Sequence, residues 1–86
     1  MYCTSIVTTT HKNISVRVDF KAIGRRIREI RGFDLTQEQF GEILALPQTQ
    51  ISKYELGLSA PTVEILLKLK AHSGKSIDWI LTGEGH

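Results

Sequence analysis

Apolar positions follow two different rhythms along the chain, and the change falls at Asp19. Before it, Ile14, Val16 and Val18 alternate with Ser15 and Arg17, the two-residue period of a half-buried strand. Residues 4–10 also favour extended structure, and His11-Lys12-Asn13 can turn between the two stretches. Residues 1–18 therefore read as an extended or β-hairpin arm. From Asp19 onward the period is helical. Ile23, Ile27 and Ile30 form a core stripe, with Asp19 placed to cap the helix and Gly32 to stop it. Thr36-Gln37-Glu38-Gln39 is a capping box, in which hydroxyl and amide side chains answer reciprocal backbone amides. Leu35 and Phe40 occupy the staple positions around it, and the second helix presents Phe40, Ile43 and Leu44 as its apolar face. Ala45 and Leu46 make a tight turn.

Pro47 suits the first turn of a third helix, where its fixed φ helps and its missing N–H costs nothing. That helix buries Ile51 and Tyr54 and ends at Gly57. Pro61 and Thr62 open a fourth, with Val63, Leu66 and Leu69 as its core. Ser76 caps a fifth, which carries Ile77, Trp79, Ile80 and Leu81 and stops at Gly83. The expected architecture is an all-α, five-helix domain over residues 19–86 behind a short arm at 1–18.

Composition narrows the function classes. Eighty-six residues suffice for one compact domain. Apolar runs such as Ile65–Leu67 are far too short to span a bilayer, and residues 1–10 lack the layout of a signal peptide. A single cysteine, Cys3, excludes an internal disulfide and fits a reducing cytoplasm. The net charge of +2 says little, but its distribution says more. Between Phe20 and Arg31 five basic residues face one acidic residue, whereas Asp34 to Glu55 holds four acidic residues and one lysine. The basic helix is a candidate phosphate-facing surface. Arg25, Arg26 and Arg28 cannot all face the same way at their angular spacing, and Arg25 is the phosphate candidate among them.

The most informative stretch is Leu35 to Gly57, two short helices joined by a tight turn. Opposite Ile51 and Tyr54, the second of these helices carries Gln48, Thr49, Gln50, Ser52 and Lys53, an edge without a carboxylate. Such amide and hydroxyl groups both donate and accept, as reading base edges in a major groove requires. Other chemistry finds no support. His11, His72 and His86 are scattered and form no metal-ligand spacing with Cys3. No glycine-rich phosphate loop occurs, and Ser52, His72 and Asp78 carry no hydrolase signature. Neither an enzyme nor a cofactor is expected.

The chain resembles the Cro and phage-repressor-like (Xre) helix-turn-helix family. The resemblance rests on Leu35-Thr36-Gln37-Glu38 and Phe40, then Gln48, Ile51-Ser52-Lys53-Tyr54-Glu55 and Gly57. It continues through Pro61-Thr62, Leu66-Leu67-Lys68-Leu69 and Ser76 to Glu84, and covers roughly three-quarters of the chain. It implies a repressor-like fold with residues 47–55 as recognition helix. Gln48 would lead the base readers, with Thr49, Gln50, Ser52 and Lys53 behind it. Thr36 and Gln37 would meet a phosphate. Arg31 and Glu55 would form a salt bridge that fixes the first helix against the third. Trp79, placed in an apolar helix, is itself expected to pack in the core. Ala45 stands where the family usually has glycine, so a strained left-handed residue is expected there. The implied function is that of a cytoplasmic, dimeric transcription regulator, a repressor, reading an inverted repeat in double-stranded DNA. The arm, paired with its copy across a two-fold axis, is the expected dimer contact. The alternative dimer contact is the surface around Ile65, Leu67 and Ile80. The rival function is an antitoxin or protein-interaction module with a toxin or other protein partner.

Overall fold

The computed structural model describes residues 16–85 of the chain. It contains five helices and no strand among those residues: α1 (Phe20–Arg31), α2 (Gln37–Leu44), α3 (Gln48–Leu56), α4 (Val63–Ser73) and α5 (Ile77–Thr82). Most of the expected arm, including Cys3, Ile14 and the His11-Lys12-Asn13 turn, lies outside the described residues. The remainder of it, Val16 and Val18, is exposed and belongs to no strand.

The helix starts are set locally. Asp19 Oδ1 accepts from the Ala22 amide at 3.0 Å, Thr62 Oγ1 from Ile65, and Ser76 Oγ from Trp79. The capping box is complete: the Gln39 amide donates to Thr36 Oγ1 at 3.1 Å, and the Thr36 amide donates to Gln39 Oε1 at 2.9 Å. Each such cap satisfies amides that would otherwise lack a partner at a helix N-terminus, worth about 1 kcal/mol. Pro47 sits one position earlier than expected, as the N-cap of α3 with extended backbone and no side-chain cap. Between α2 and α3, Ala45 is left-handed at φ 58°, among the described residues the only non-glycine with positive φ.

The core is one cluster of Ile23, Ile27, Phe40, Leu44, Ile51, Tyr54, Ile65, Leu66, Leu69 and Ile80. α3 lies between α1 and α2, while α5 closes over α1 and α4. Close approach of α1 to α3 depends on Gly24, where an added Cβ would stand 2.5 Å from the carbonyl oxygens of both Tyr54 and Glu55. Arg26 donates to the Ile80 carbonyl at 3.0 Å and so ties α1 to α5. Lys68 donates to the Leu44 carbonyl at 2.9 Å and ties α4 to the C-terminal end of α2.

Four expectations about the core need correction. Ile43 is half exposed, because α2 turns Phe40, Gly41 and Leu44 inward instead. Val63 is exposed at the start of α4, and Ile65 takes its place beside Leu66 and Leu69. Trp79 is only half-buried: it packs on the rim of the core with Lys75 Nζ 4.9 Å from its ring. Ile65 and Ile80 are buried within the domain, so of the alternative dimer surface only Leu67 remains available.

Candidate nucleic-acid interface

Two helix N-termini converge with the end of α1. In α2 the amides of Gln39 and Phe40 bond to Thr36, and those of Gln37 and Glu38 have no partner among the described residues. In α3 the amides of Gln50 and Ile51 bond to the Pro47 carbonyl, and those of Gln48 and Thr49 have no partner among the described residues. Arg31, Thr36, Gln37, Glu38 and Gln48 line a shallow cleft between the two. Open amides and the positive ends of two helix dipoles favour an anion there, opposed by the nearby Glu38 carboxylate.

A chain of side-chain hydrogen bonds runs through this cleft from α1 to the tip of α3. Arg31 donates Nε to Glu55 Oε2 at 2.7 Å and Nη2 to Glu55 Oε1 at 3.0 Å, a two-pronged pair. Its Nη1 donates to the Leu35 carbonyl at 2.9 Å. Gln37 Nε2 donates to the same Glu55 Oε1 at 3.0 Å, and Gln48 Nε2 donates to Gln37 Oε1 at 2.6 Å. The ion pair is well covered, with 15% of the Arg31 side chain and 4% of the Glu55 side chain exposed. Hydrogen bonding to Glu55 holds the Arg31 guanidinium above its already high ordinary pKa, against the opposing effect of burial. The Arg31 guanidinium is therefore charged throughout the neutral range. The covered Glu55 carboxylate orients Gln37, and Gln37 orients Gln48.

The base-reading candidates divide into two groups. At about 100° per residue, Gln48, Ser52, Leu56, Thr49 and Lys53 share one outward arc of α3. Gln48, Thr49 and Lys53 are exposed and Ser52 is half-buried. Gln50 lies apart, half-buried, with its amide 3.4 Å from Ser59 in the α3–α4 connection. Leu56, 60% exposed on the outward arc, is absent from the sequence-based set. Its spacing of four from Ser52 is the signal that identifies it. Among the phosphate candidates, Thr36 and Gln37 line the cleft, whereas Arg25 is exposed farther along α1. Arg26 is committed to Ile80 and points elsewhere.

Comparison with known proteins agrees with this geometry. A helix-turn-helix family model matches residues 25–80. The chain is 38% identical over 60 residues to the HTH-type transcriptional activator BcrR of Enterococcus faecalis, covering 69% of this chain and 29% of that protein. It thus spans less than a third of that relative's length. Among solved structures, the P22 c2 repressor in complex with a synthetic operator is 30% identical with a TM-score of 0.66, over 72% of this chain and 96% of that one. The restriction-modification controller protein C.AhdI of Aeromonas hydrophila is 23% identical with a TM-score of 0.63, over 73% and 93% of the two chains, a likeness of fold.

Proposed function

The chain belongs to the helix-turn-helix family of DNA-binding transcription regulators, and from that premise we propose that it reads an inverted repeat as a homodimer with α3 in the major groove. The observation that carries this reading is the linked set Arg31–Glu55–Gln37–Gln48. It uses one N–H of the exposed Gln48 amide on Gln37, which leaves the other N–H and the carbonyl oxygen available to a base. That donor–acceptor pair matches the N7 and N6 edge of adenine. Thr49, Ser52 and Lys53 extend the readout along the same arc, and Leu56 offers an apolar contact to a thymine methyl. Gln50 joins them by leaving Ser59. Thr36, Gln37 and the α2 N-terminal amides hold phosphates within the half-site, which sets the register without sequence information.

One recognition helix reads only a few base pairs, so specificity needs two half-sites about one helical turn apart. The exposed apolar side chains of Val16 and Val18 support a dimer contact across the two-fold axis on this side of the domain. The protein acts in the cytoplasm as a repressor, without enzymatic chemistry. Among the described residues no helix is long and apolar enough to cross a membrane. A protein partner such as a toxin is the second reading, favoured by Leu58, which is 73% exposed in an uncharged connection.

Selection of bound duplexes from a random pool, repeated at two salt concentrations, tests the proposal. The expected product is an inverted repeat bound at least ~10³-fold more tightly than random duplex at physiological salt. Gln48→Ala should cost about 1–3 kcal/mol and flatten one base position in each half-site. Gln37→Ala should weaken binding on every sequence and also loosen that same position, because Gln37 holds Gln48. Equal affinity for selected and random duplex defeats the proposal. Co-purification of an unrelated polypeptide, together with that result, supports the second reading.

A further inference from the structure

A second cleft adjoins the first. It is lined by Arg25, Arg28, Glu29, Arg31, Gly32 and Phe33, so Arg31 forms a wall of both. Arg25 and Arg28 are exposed, and neither forms an ion pair among the described residues, although Glu29 lies in the same cleft. Phe33, in the turn after α1, is fully exposed at 106%. Arg25, Arg28 and Arg31 recur every three residues, so they climb α1 by about 9 Å at ~1.5 Å per residue. That rise matches roughly three nucleotides of one DNA strand at ~3.4 Å each. A row of cations that starts at the anion-binding cleft and leads away from α3 has the layout of a backbone track.

We propose that Arg28 and Arg25, with Phe33 against a deoxyribose, bind the DNA backbone just outside each half-site, lengthening the bound site by about three base pairs without adding sequence preference. The two guanidiniums neutralise phosphates. Phe33 supplies an apolar face for the sugar and no charge. The inference rests on the DNA-reading role above and deepens it.

The experiment compares the selected duplex ending at the outer edge of each half-site with the same duplex extended by about four base pairs of changed sequence. Affinity is measured over a range of salt for the wild type, Arg25→Gln/Arg28→Gln and Phe33→Ser. All three substitutions lie on exposed side chains, and far-UV circular dichroism confirms the folded state. On the extended duplex the double variant should lose about 1.8 from the log–log salt slope per subunit, at ~0.9 per phosphate contact. Phe33→Ser should weaken binding to the extended duplex several-fold with its slope unchanged. On the short duplex the three proteins should bind alike. Three results overturn the inference while leaving the half-site reading intact. They are equal losses on both duplexes, a wild type indifferent to the extension, and a double variant that binds DNA normally but no longer binds an acidic peptide. Failure of the wild type to prefer the selected duplex at all overturns both.

Discussion

Removing the Glu55 carboxylate should cost far more than losing a surface ion pair. Glu55 accepts three hydrogen bonds, two from Arg31 and one from Gln37, and only 4% of its side chain is exposed. Glu55→Ala leaves the Arg31 guanidinium, 15% exposed, with the Leu35 carbonyl as its remaining partner. Breaking one side of a covered pair costs about 3–5 kcal/mol. The lower end applies here, because Arg31 keeps a hydrogen bond and some water. A chain of this length has roughly 4–13 kcal/mol of total stability, at ~0.05–0.15 kcal/mol per residue. A loss of about 3 kcal/mol should lower the melting temperature by roughly 12–24 °C, at ~4–8 °C per kcal/mol. Arg31→Met should do at least as much, since it strands the more deeply covered charge. The double variant Arg31→Met/Glu55→Leu should recover much of the loss, because apolar side chains of similar size need no counter-charge. Urea and thermal unfolding followed by far-UV circular dichroism, arranged as a double-mutant cycle, measure the coupling. Single-variant costs below about 1 kcal/mol, the range of exposed pairs, would refute the reasoning. The pH dependence has a definite sign. A guanidinium whose pKa is raised by folding contributes stability that is lost only as pH rises through the folded value. Since that value lies above the ordinary arginine range, alkaline buffers should not abolish the contribution from Arg31.

Ala45→Gly relieves a left-handed backbone that costs an alanine about 1–2 kcal/mol, offset by ~0.4–1 kcal/mol of added freedom in the unfolded chain. A net gain of roughly 0.5–1 kcal/mol, seen as a higher melting temperature, is expected; a decrease would contradict it. Gly24→Ala pushes a methyl against the Tyr54 and Glu55 carbonyls, which are backbone and cannot swing aside. It should lose about 3 kcal/mol or more through overpacking, and near-wild-type unfolding would show that α1 and α3 can separate cheaply. Trp79→Ala should cost roughly 1–2 kcal/mol and Ile80→Ala about 2–5 kcal/mol, because Ile80 is fully buried and Trp79 is on the rim. The reverse order in chemical unfolding would place Trp79 in the core.

What was legible in the sequence was local. Asp19, Thr36 with Gln39, Thr62 and Ser76 cap their helices within three residues of themselves, so chain order alone reveals them. The inward face of a short helix is a different problem. Ile43 and Leu44 are neighbours in α2, and either completes an apolar stripe with Phe40. The choice is made by α3, which packs against Gly41 and admits Leu44. Val63 and Ile65 pose the same ambiguity in α4, resolved by α5 and by the exposure of the first helical turn. At the site, the outward polar edge of α3 was readable from periodicity. The hydrogen bonds of Gln37 to Glu55 and of Gln48 to Gln37 were not, because they span 18 and 11 residues. The use of Arg26 as an anchor for Ile80, 54 residues away, was equally hidden.

The contact between Gln48 and Gln37 bears on how such a domain can be redesigned. If the tip of α3 is oriented by α2, and α2 in turn by an ion pair rooted in α1, then any reading preference carried by α3 is not a removable cassette. Transplanting the outward residues of α3 onto a related scaffold would carry over the letters without the means of presenting them. The smallest unit that travels intact is a quartet on three helices: Arg31, Gln37, Gln48 and Glu55. A graft that moves all four should keep the donor's preference at the Gln48 position, whereas one that moves Gln48 alone should blur it.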